Sequence, residues 1–121
     1  ALERLLEAAH LSAQEGEPLA EAEGLLKVGR AFQVGSQVLL KGAYREALHR
    51  YGEGLGLLEK EGLPFPATAL ALLALAQEGF RPGGKGRETA RKALERARTA
   101  FAREMAQKVL SQATKEAEKE A

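Results

Sequence analysis

Five residue types are missing from this chain of 121 residues: Cys, Trp, Asn, Asp and Ile. Without Cys, the chain can form neither a disulfide framework nor a thiolate metal site. Strand-forming β-branched residues are scarce, because Ile is absent and Val is sparse. Depletion of Asn and Cys with abundant Glu and Arg is typical of a thermophilic source, although a GC-rich genome gives the same bias.

Long hydrophobic runs are also missing. No stretch approaches the roughly 20 apolar residues that are needed to cross a bilayer. The opening sequence, ALERLLEAAH, is acidic and amphipathic, and it lacks the basic region and cleavage site of a secretory signal. The sequence therefore predicts a cytoplasmic protein without membrane association. The absence of an initiator Met is compatible with its removal or with excision from a longer protein.

Helix-forming residues are what the chain has in abundance, since Ala, Leu, Glu, Arg and Lys dominate it. No window alternates apolar and polar residues as a half-buried strand does. We therefore predict an all-α fold of about five helices in a single domain, residues 1–121. The predicted helices span about residues 2–14, 18–40, 44–60, 67–78 and 87–115, with a frayed tail at residues 116–121. For the second helix the alternative is a split at Gly24 and Gly29.

The clearest local pattern lies in residues 28–61, where two helical stripes meet at a glycine turn. Within each half, apolar or small residues recur at steps of three and four, the spacing of one helix face. The turn at Lys41, Gly42 and Ala43 is short, so the two helices must fold back antiparallel. Gly35 and Ala47 carry almost no side chain, and we expect the two backbones to approach closely there.

This stretch resembles a tetratricopeptide repeat, a helix–turn–helix unit of about 34 residues. The positions that carry the resemblance are a small residue late in the first helix, the turn glycine, the aromatic that opens the second helix, the alanine at the crossing, a second aromatic and a final small residue. In order, these are Gly35, Gly42, Tyr44, Ala47, Tyr51 and Gly54. The sequence departs from the family at Ala31 and Val38, where aromatics are usual, and at Glu59, where the family has proline.

The resemblance implies antiparallel helical hairpins, either in a right-handed superhelix or in a compact helical bundle, with degenerate hairpins at residues 1–27 and 64–115. It implies a protein–protein interaction or scaffolding module, compatible with a domain of a larger bacterial regulatory protein. The partner would be a protein or peptide, or a second copy of the chain in a homo-oligomer. The family's inner groove would be lined here by Arg30, Phe32, Gln33, Ser36 and Leu39. These residues do not form the Lys and Asn clamp that grips a terminal carboxylate.

No motif in the sequence has the residues and spacing that catalysis or cofactor binding requires. We therefore predict that the chain is not an enzyme and has no cofactor or metal. Residues 79–86 have the Gly-x4-Gly-Lys spacing of a phosphate-binding loop, but Gly86 stands where a Ser or Thr must hold Mg²⁺. The segment also follows a helix rather than a strand, which favours a plain connector. His10 and His49 lack a second His at helical spacing and any Cys or Asp, so ordinary surface or packing roles are favoured.

Charge is unevenly distributed, with an acidic start and a basic end. At about 100° per residue, a basic patch of four side chains falls on one line of the predicted last helix, namely Lys85, Lys92, Arg96 and Arg103. The neighbouring glutamates favour a solvated outer face. The alternative is a nucleic-acid-associated helical protein that follows a phosphate backbone with this patch. The acidic start and basic end are also suited to attract each other, within one chain or between copies.

Overall fold

The structure, a computed structural model, describes residues 2–16 and 26–120. Within these ranges every regular element is an α-helix, which confirms the all-α fold class. The helices are α1 (Leu2–Glu15), α2 (Leu26–Leu40), α3 (Tyr44–Lys60), α4 (Ala67–Phe80), α5 (Gly86–Arg96) and α6 (Ala100–Glu120).

The predicted boundaries of the third helix agree with α3, and those of the first and fourth are within two residues of α1 and α4. The predicted start of the second helix, at Pro18, lies outside the described residues. α2 begins at Leu26 and continues through Gly29 without a break. α6 extends to Glu120, through most of the segment that the sequence predicted to fray.

The prediction of one long helix over residues 87–115 is wrong, because the chain leaves helical geometry between α5 and α6. Ala97 has an extended backbone, with φ −64° and ψ 126°. A new helix then begins behind Thr99, whose hydroxyl oxygen accepts a hydrogen bond of 3.2 Å from the backbone N–H of Ala102. This is the N-cap arrangement that favours Thr at the start of a helix. The described part of the chain therefore holds six helices rather than about five.

The helices form two compact units, Ala1–Phe65 and Pro66–Ala121. The division falls at the break between Gly62 and Pro66, where each proline keeps the residue before it out of helical geometry. That the whole chain acts as a single domain stays a prediction.

In the first unit, α1 packs against α2 and α2 packs against α3. The turn between α2 and α3 is closed by backbone hydrogen bonds from Gly42 to Leu39 and from Ala43 to Val38, at 3.0 and 2.9 Å. Gly42 adopts φ +83°, the left-handed conformation with which glycine commonly ends a helix. The core of this unit includes Leu6, Ala9, Val28, Phe32, Ala47, Tyr51, Leu55 and Leu58.

In the second unit, α4 packs against both α5 and α6, and α5 packs against α6. The first six residues of α4 are all buried, as expected for a helix that is apolar all round. α5 begins directly against the α4 backbone, because a Cβ at Gly86 would lie 2.8 Å from the backbone nitrogen of Glu78. The core of this unit is rich in alanine and includes Ala69, Ala71, Leu72, Ala74, Ala76, Ala90, Ala93, Ala102, Ala106 and Val109.

Candidate interaction site

The α2–α3 hairpin is held by two aromatic rings that each face a glycine on the opposite helix. A Cβ at Gly35 of α2 would lie 2.6 Å from ring carbons of Tyr51 on α3. In the reverse direction, a Cβ at Gly54 of α3 would lie 2.5 Å from a ring carbon of Phe32 on α2. The two rings contact each other with centroids 5.2 Å apart and planes inclined by 33°. Each glycine therefore makes room for a ring.

This arrangement refines the expected close approach at Gly35 and Ala47. Both positions are buried, as the prediction required. The neighbour that Gly35 accommodates, however, is the ring of Tyr51 rather than another small side chain. The sequence pattern included Tyr51 and Gly54, and their complementary roles follow only from the register of the two helices.

A chain of buried polar groups crosses the three helices of the first unit. The Nδ1 atom of His10 on α1 lies 2.7 Å from the Ser36 hydroxyl on α2. That hydroxyl lies 2.8 Å from the Tyr51 hydroxyl on α3. At the outer end, Nε2 of Gln14 approaches Nε2 of His10 at 3.4 Å. One polar chain thus connects α1, α2 and α3.

The donor and acceptor roles in this polar chain depend on the tautomer of His10. In the tautomer whose proton is on Nδ1, that nitrogen donates to the Ser36 oxygen and Nε2 accepts from the Gln14 amide. Between Ser36 and Tyr51 either hydroxyl can donate. Burial raises the pKa of the Tyr51 hydroxyl, and the hydrogen bond with Ser36 lowers it by a smaller amount.

The Ser36–His10 pair has the composition of a nucleophile and its general base, but its position does not suit catalysis. Ser36 is fully buried and His10 is only 2% exposed, so a substrate cannot reach either group in this conformation. Buried polar groups that are fully hydrogen-bonded more often fix one packing arrangement. We interpret the polar chain of His10, Ser36 and Tyr51 as the feature that holds α1 in position. Among the described residues, no group of three or more potential metal ligands is present.

The predicted partner groove is only partly available on the surface. Phe32 and Ser36 are fully buried, in contact with α3 and with His10 respectively, so the interpretation of these two side chains as exposed groove residues is wrong. The two were misplaced because periodicity does not show which of the neighbouring helices covers a stripe. Arg30 is exposed, and Gln33 and Leu39 are half-buried.

Two exposed apolar side chains flank the α2–α3 turn, and the groove prediction did not include them. Leu40, the last residue of α2, is 51% exposed, and Tyr44, the first residue of α3, is 37% exposed. Their exposure follows from the position of the tight turn between them. Tyr44 was singled out as a repeat residue, whereas Leu40 was missed because it lies at the end of an apolar stripe.

The glycine-rich segment after α4 is an ordered connector. The backbone N–H of Gly83 donates to a carboxylate oxygen of Glu78 at 3.2 Å. An internal carboxylate therefore contacts the loop at this N–H. Gly86 is explained by packing, because any side chain there would meet the α4 backbone at Ala74 and Glu78.

The remaining predicted sites are on the surface. His49 lies 3.0 Å from Glu53 one turn later, in an exposed pair. Lys85, Lys92, Arg96 and Arg103 are all exposed. They do not follow one helix, however, since Lys85 precedes α5, and Arg103 lies on α6 beyond the break. The continuous basic line predicted from the sequence is therefore wrong, and only Lys92 and Arg96 remain one turn apart on a single helix.

Comparison with known proteins gives no matching family model, no matching curated protein and no matching solved structure. Within residues 2–16 and 26–120, none of the helices combines the length and apolar character that spanning a membrane requires.

Proposed function

We propose that the chain is a protein–protein interaction module of the tetratricopeptide-like type and that the α2–α3 hairpin presents its binding surface. The observation that carries the proposal is the reciprocal contact of Gly35 with Tyr51 and of Gly54 with Phe32. It supports the resemblance because three of the residues involved are positions of the repeat pattern. A hairpin packed in this way is a rigid support for surface residues.

The surface around the α2–α3 turn is suited to a partner with an apolar segment. Leu40 and Tyr44 are exposed on either side of the turn, and Leu39 is half-buried beside them. Aromatic and aliphatic side chains on a rigid support are typical anchors of interfaces.

The proposal is tested by affinity capture with the full chain as bait, comparing Leu40→Glu and Tyr44→Glu with the parent. Each variant places a charge in the proposed surface, and we expect capture of the partner to fall about tenfold or more. Leu11→Glu is the matched control, because Leu11 is similarly exposed but lies on α1. Capture that is equal in all three variants, with unchanged circular dichroism, would exclude this surface.

A second candidate function is nucleic-acid binding through the basic patch. The observation that favours it is that Lys85, Lys92, Arg96 and Arg103 are exposed and that, within the described residues, they form no ion pair. Two phosphate contacts, from Lys92 and Arg96, would weaken duplex binding by about tenfold between 50 and 200 mM salt. Fluorescence anisotropy with a generic duplex measures this salt dependence. The double variant Lys92→Glu with Arg96→Glu should abolish duplex binding. Absence of binding at the lower salt concentration removes this candidate.

A further inference from the structure

Helix α1 packs on the α2–α3 hairpin in the way that a helical ligand packs in its binding groove. α1 lies against α2, and its fully or almost fully buried side chains are Leu6, Ala9 and His10. These three residues follow the i, i+3, i+4 spacing of one helix face. Helix-in-groove recognition uses the same short set of anchors.

His10 bonds to a residue that the sequence predicted for partner binding. Ser36 would line the groove of a tetratricopeptide-like hairpin, and in the structure its hydroxyl is held by the His10 imidazole at 2.7 Å. The same Ser36 hydroxyl lies within hydrogen-bond distance of the Tyr51 hydroxyl. The His10 imidazole is therefore hydrogen-bonded to a polar pair to which each helix of the hairpin contributes one residue. The surface of the hairpin at Ser36 is therefore already occupied, by a helix of the same chain.

The α1 contact also carries features that oppose tight docking. An oxygen of the Glu7 carboxylate, one turn before His10, is buried and has no hydrogen-bond partner among the described residues. A buried polar atom without a partner costs free energy in the docked state. Leu11, next to the anchors, remains 46% exposed. Elements that detach reversibly are drawn from such weakly stabilised parts of a structure.

We propose that α1 occupies, in cis, an exchangeable helix site on the α2–α3 hairpin, and that the partner of this site is α1 of a second copy of the chain. The second copy fits by construction, because its Leu6, Ala9 and His10 are identical to those already bound. Exchange of an identical element is a low-cost route to a dimer. The inference rests on the proposed function of the hairpin as an interaction module, and it adds a second site, at Ser36 under α1, to the surface around Leu40 and Tyr44.

The experiment uses a fluorescent peptide of residues 1–16, titrated into the full chain. In wild type the site is filled by α1, whereas Leu6→Ala in the chain weakens the resident helix and should tighten peptide binding about tenfold or more. Leu11→Ala in the chain is the matched control and should leave the affinity at the wild-type value. Failure of the peptide to bind the Leu6→Ala chain, or equal binding by both variants, overturns the proposal.

Variants of the peptide keep the test decisive if the Leu6→Ala chain does not fold. With the wild-type chain, a peptide carrying Leu6→Ala should bind about tenfold more weakly than the parent peptide, and one carrying Leu11→Ala should bind equally. Light scattering over a concentration series then tests the second copy. A dimer that is lost on addition of excess peptide supports it. A chain that stays monomeric at all concentrations overturns it, whereas Leu40-dependent capture of another protein would leave the proposed function intact.

Discussion

The two units solve the problem of close helix packing in different ways. Between α2 and α3, large rings fit over glycines, and a buried polar chain continues to α1. Between α4 and α5, the core is mostly alanine and the backbones themselves approach at Gly86. Neither aromatic of the second unit is buried, since Phe80 is exposed and Phe101 is half-buried.

The comparison shows that the role of a glycine depends on what it faces. A ring opposite a glycine can shift by a few tenths of an ångström. Here the rings of Phe32 and Tyr51 are both fully buried, so such a shift also displaces their neighbours. A backbone opposite a glycine cannot move without displacing its helix. Polar contacts differ in the same sense. The first unit uses four side chains in series, Gln14, His10, Ser36 and Tyr51, whereas Thr89 of α5 makes a single cross-helix bond of 2.7 Å to Gln77 of α4.

The largest effect is expected from Gly86→Ala. Its methyl group would lie 2.8 Å from the nitrogen of Glu78 and 2.9 Å from the carbonyl oxygen of Ala74, both backbone atoms. Because overpacking against a rigid element is costly, we expect the free energy of unfolding to fall by about 3 kcal/mol. Urea denaturation followed by circular dichroism measures it. Lys92→Ala, at an exposed position of the same helix, is the control and should change stability by less than about 0.5 kcal/mol.

Removal of the middle group of the polar chain should have the next largest effect. Ser36→Ala removes the hydroxyl that bonds to both the His10 imidazole and the Tyr51 hydroxyl, and we expect a loss of about 2–3 kcal/mol. Tyr51→Phe removes only the hydroxyl at the end of the polar chain and should lower the free energy of unfolding by about 1 kcal/mol. If Tyr51→Phe were the more damaging variant in urea titrations, the ring packing rather than the polar chain would dominate this region.

Alkaline pH should weaken the first unit through Tyr51. Its pKa is raised by burial, so above pH 10 the folded chain holds a proton that the unfolded chain has lost. The stabilisation is complete below pH 10 and declines above it, by up to about 1.4 kcal/mol per pH unit. Thermal unfolding of wild type and Tyr51→Phe at a series of pH values isolates this contribution. Parallel curves for the two proteins would contradict the assignment.

The next effect in size concerns the break between α5 and α6. Thr99→Ala removes the hydroxyl that accepts the hydrogen bond of the Ala102 N–H. Loss of an N-cap of this kind costs about 1 kcal/mol. Thr99→Ser retains the oxygen and serves as the control in urea titrations. An Ala variant as stable as the Ser variant would show that packing alone sets this helix boundary.

The sequence predicted the elements whose boundaries depend on local chemistry. α3 begins after the Lys41–Gly42–Ala43 turn and ends at Lys60 as expected, because glycine at the turn and the break at Gly62 act over a few residues. The division of α5 from α6 carries a local signal as well, a Thr three residues before Ala102. It was overlooked because the apolar pattern continues across it, through Leu94 and Phe101.

The candidate site depends on the register between neighbouring helices, and the periodicity of the sequence does not predict that register. Phe32 and Ser36 fall on an apolar or small stripe of α2, but the stripe alone does not tell whether α1, α3 or solvent faces it. His10 had no motif around it, since its partner Ser36 is 26 residues away in the chain. The sequence therefore left surface and packing roles open for His10, and the structure shows it buried.

One matched pair of variants tests the central claim, that the hairpin is held by rings fitted over glycines. A Cβ at Gly54 would lie 2.5 Å from a ring carbon of Phe32, whereas a Cβ at Gly52, two residues earlier on α3, meets nothing within 4 Å. Both tyrosines of the chain lie on α3, so tyrosine fluorescence during urea unfolding reports on this hairpin. The account predicts that Gly52→Ala stabilises the protein by about 0.5–1 kcal/mol, while Gly54→Ala destabilises it by about 1–2 kcal/mol. Stabilisation of equal size in both variants would contradict it.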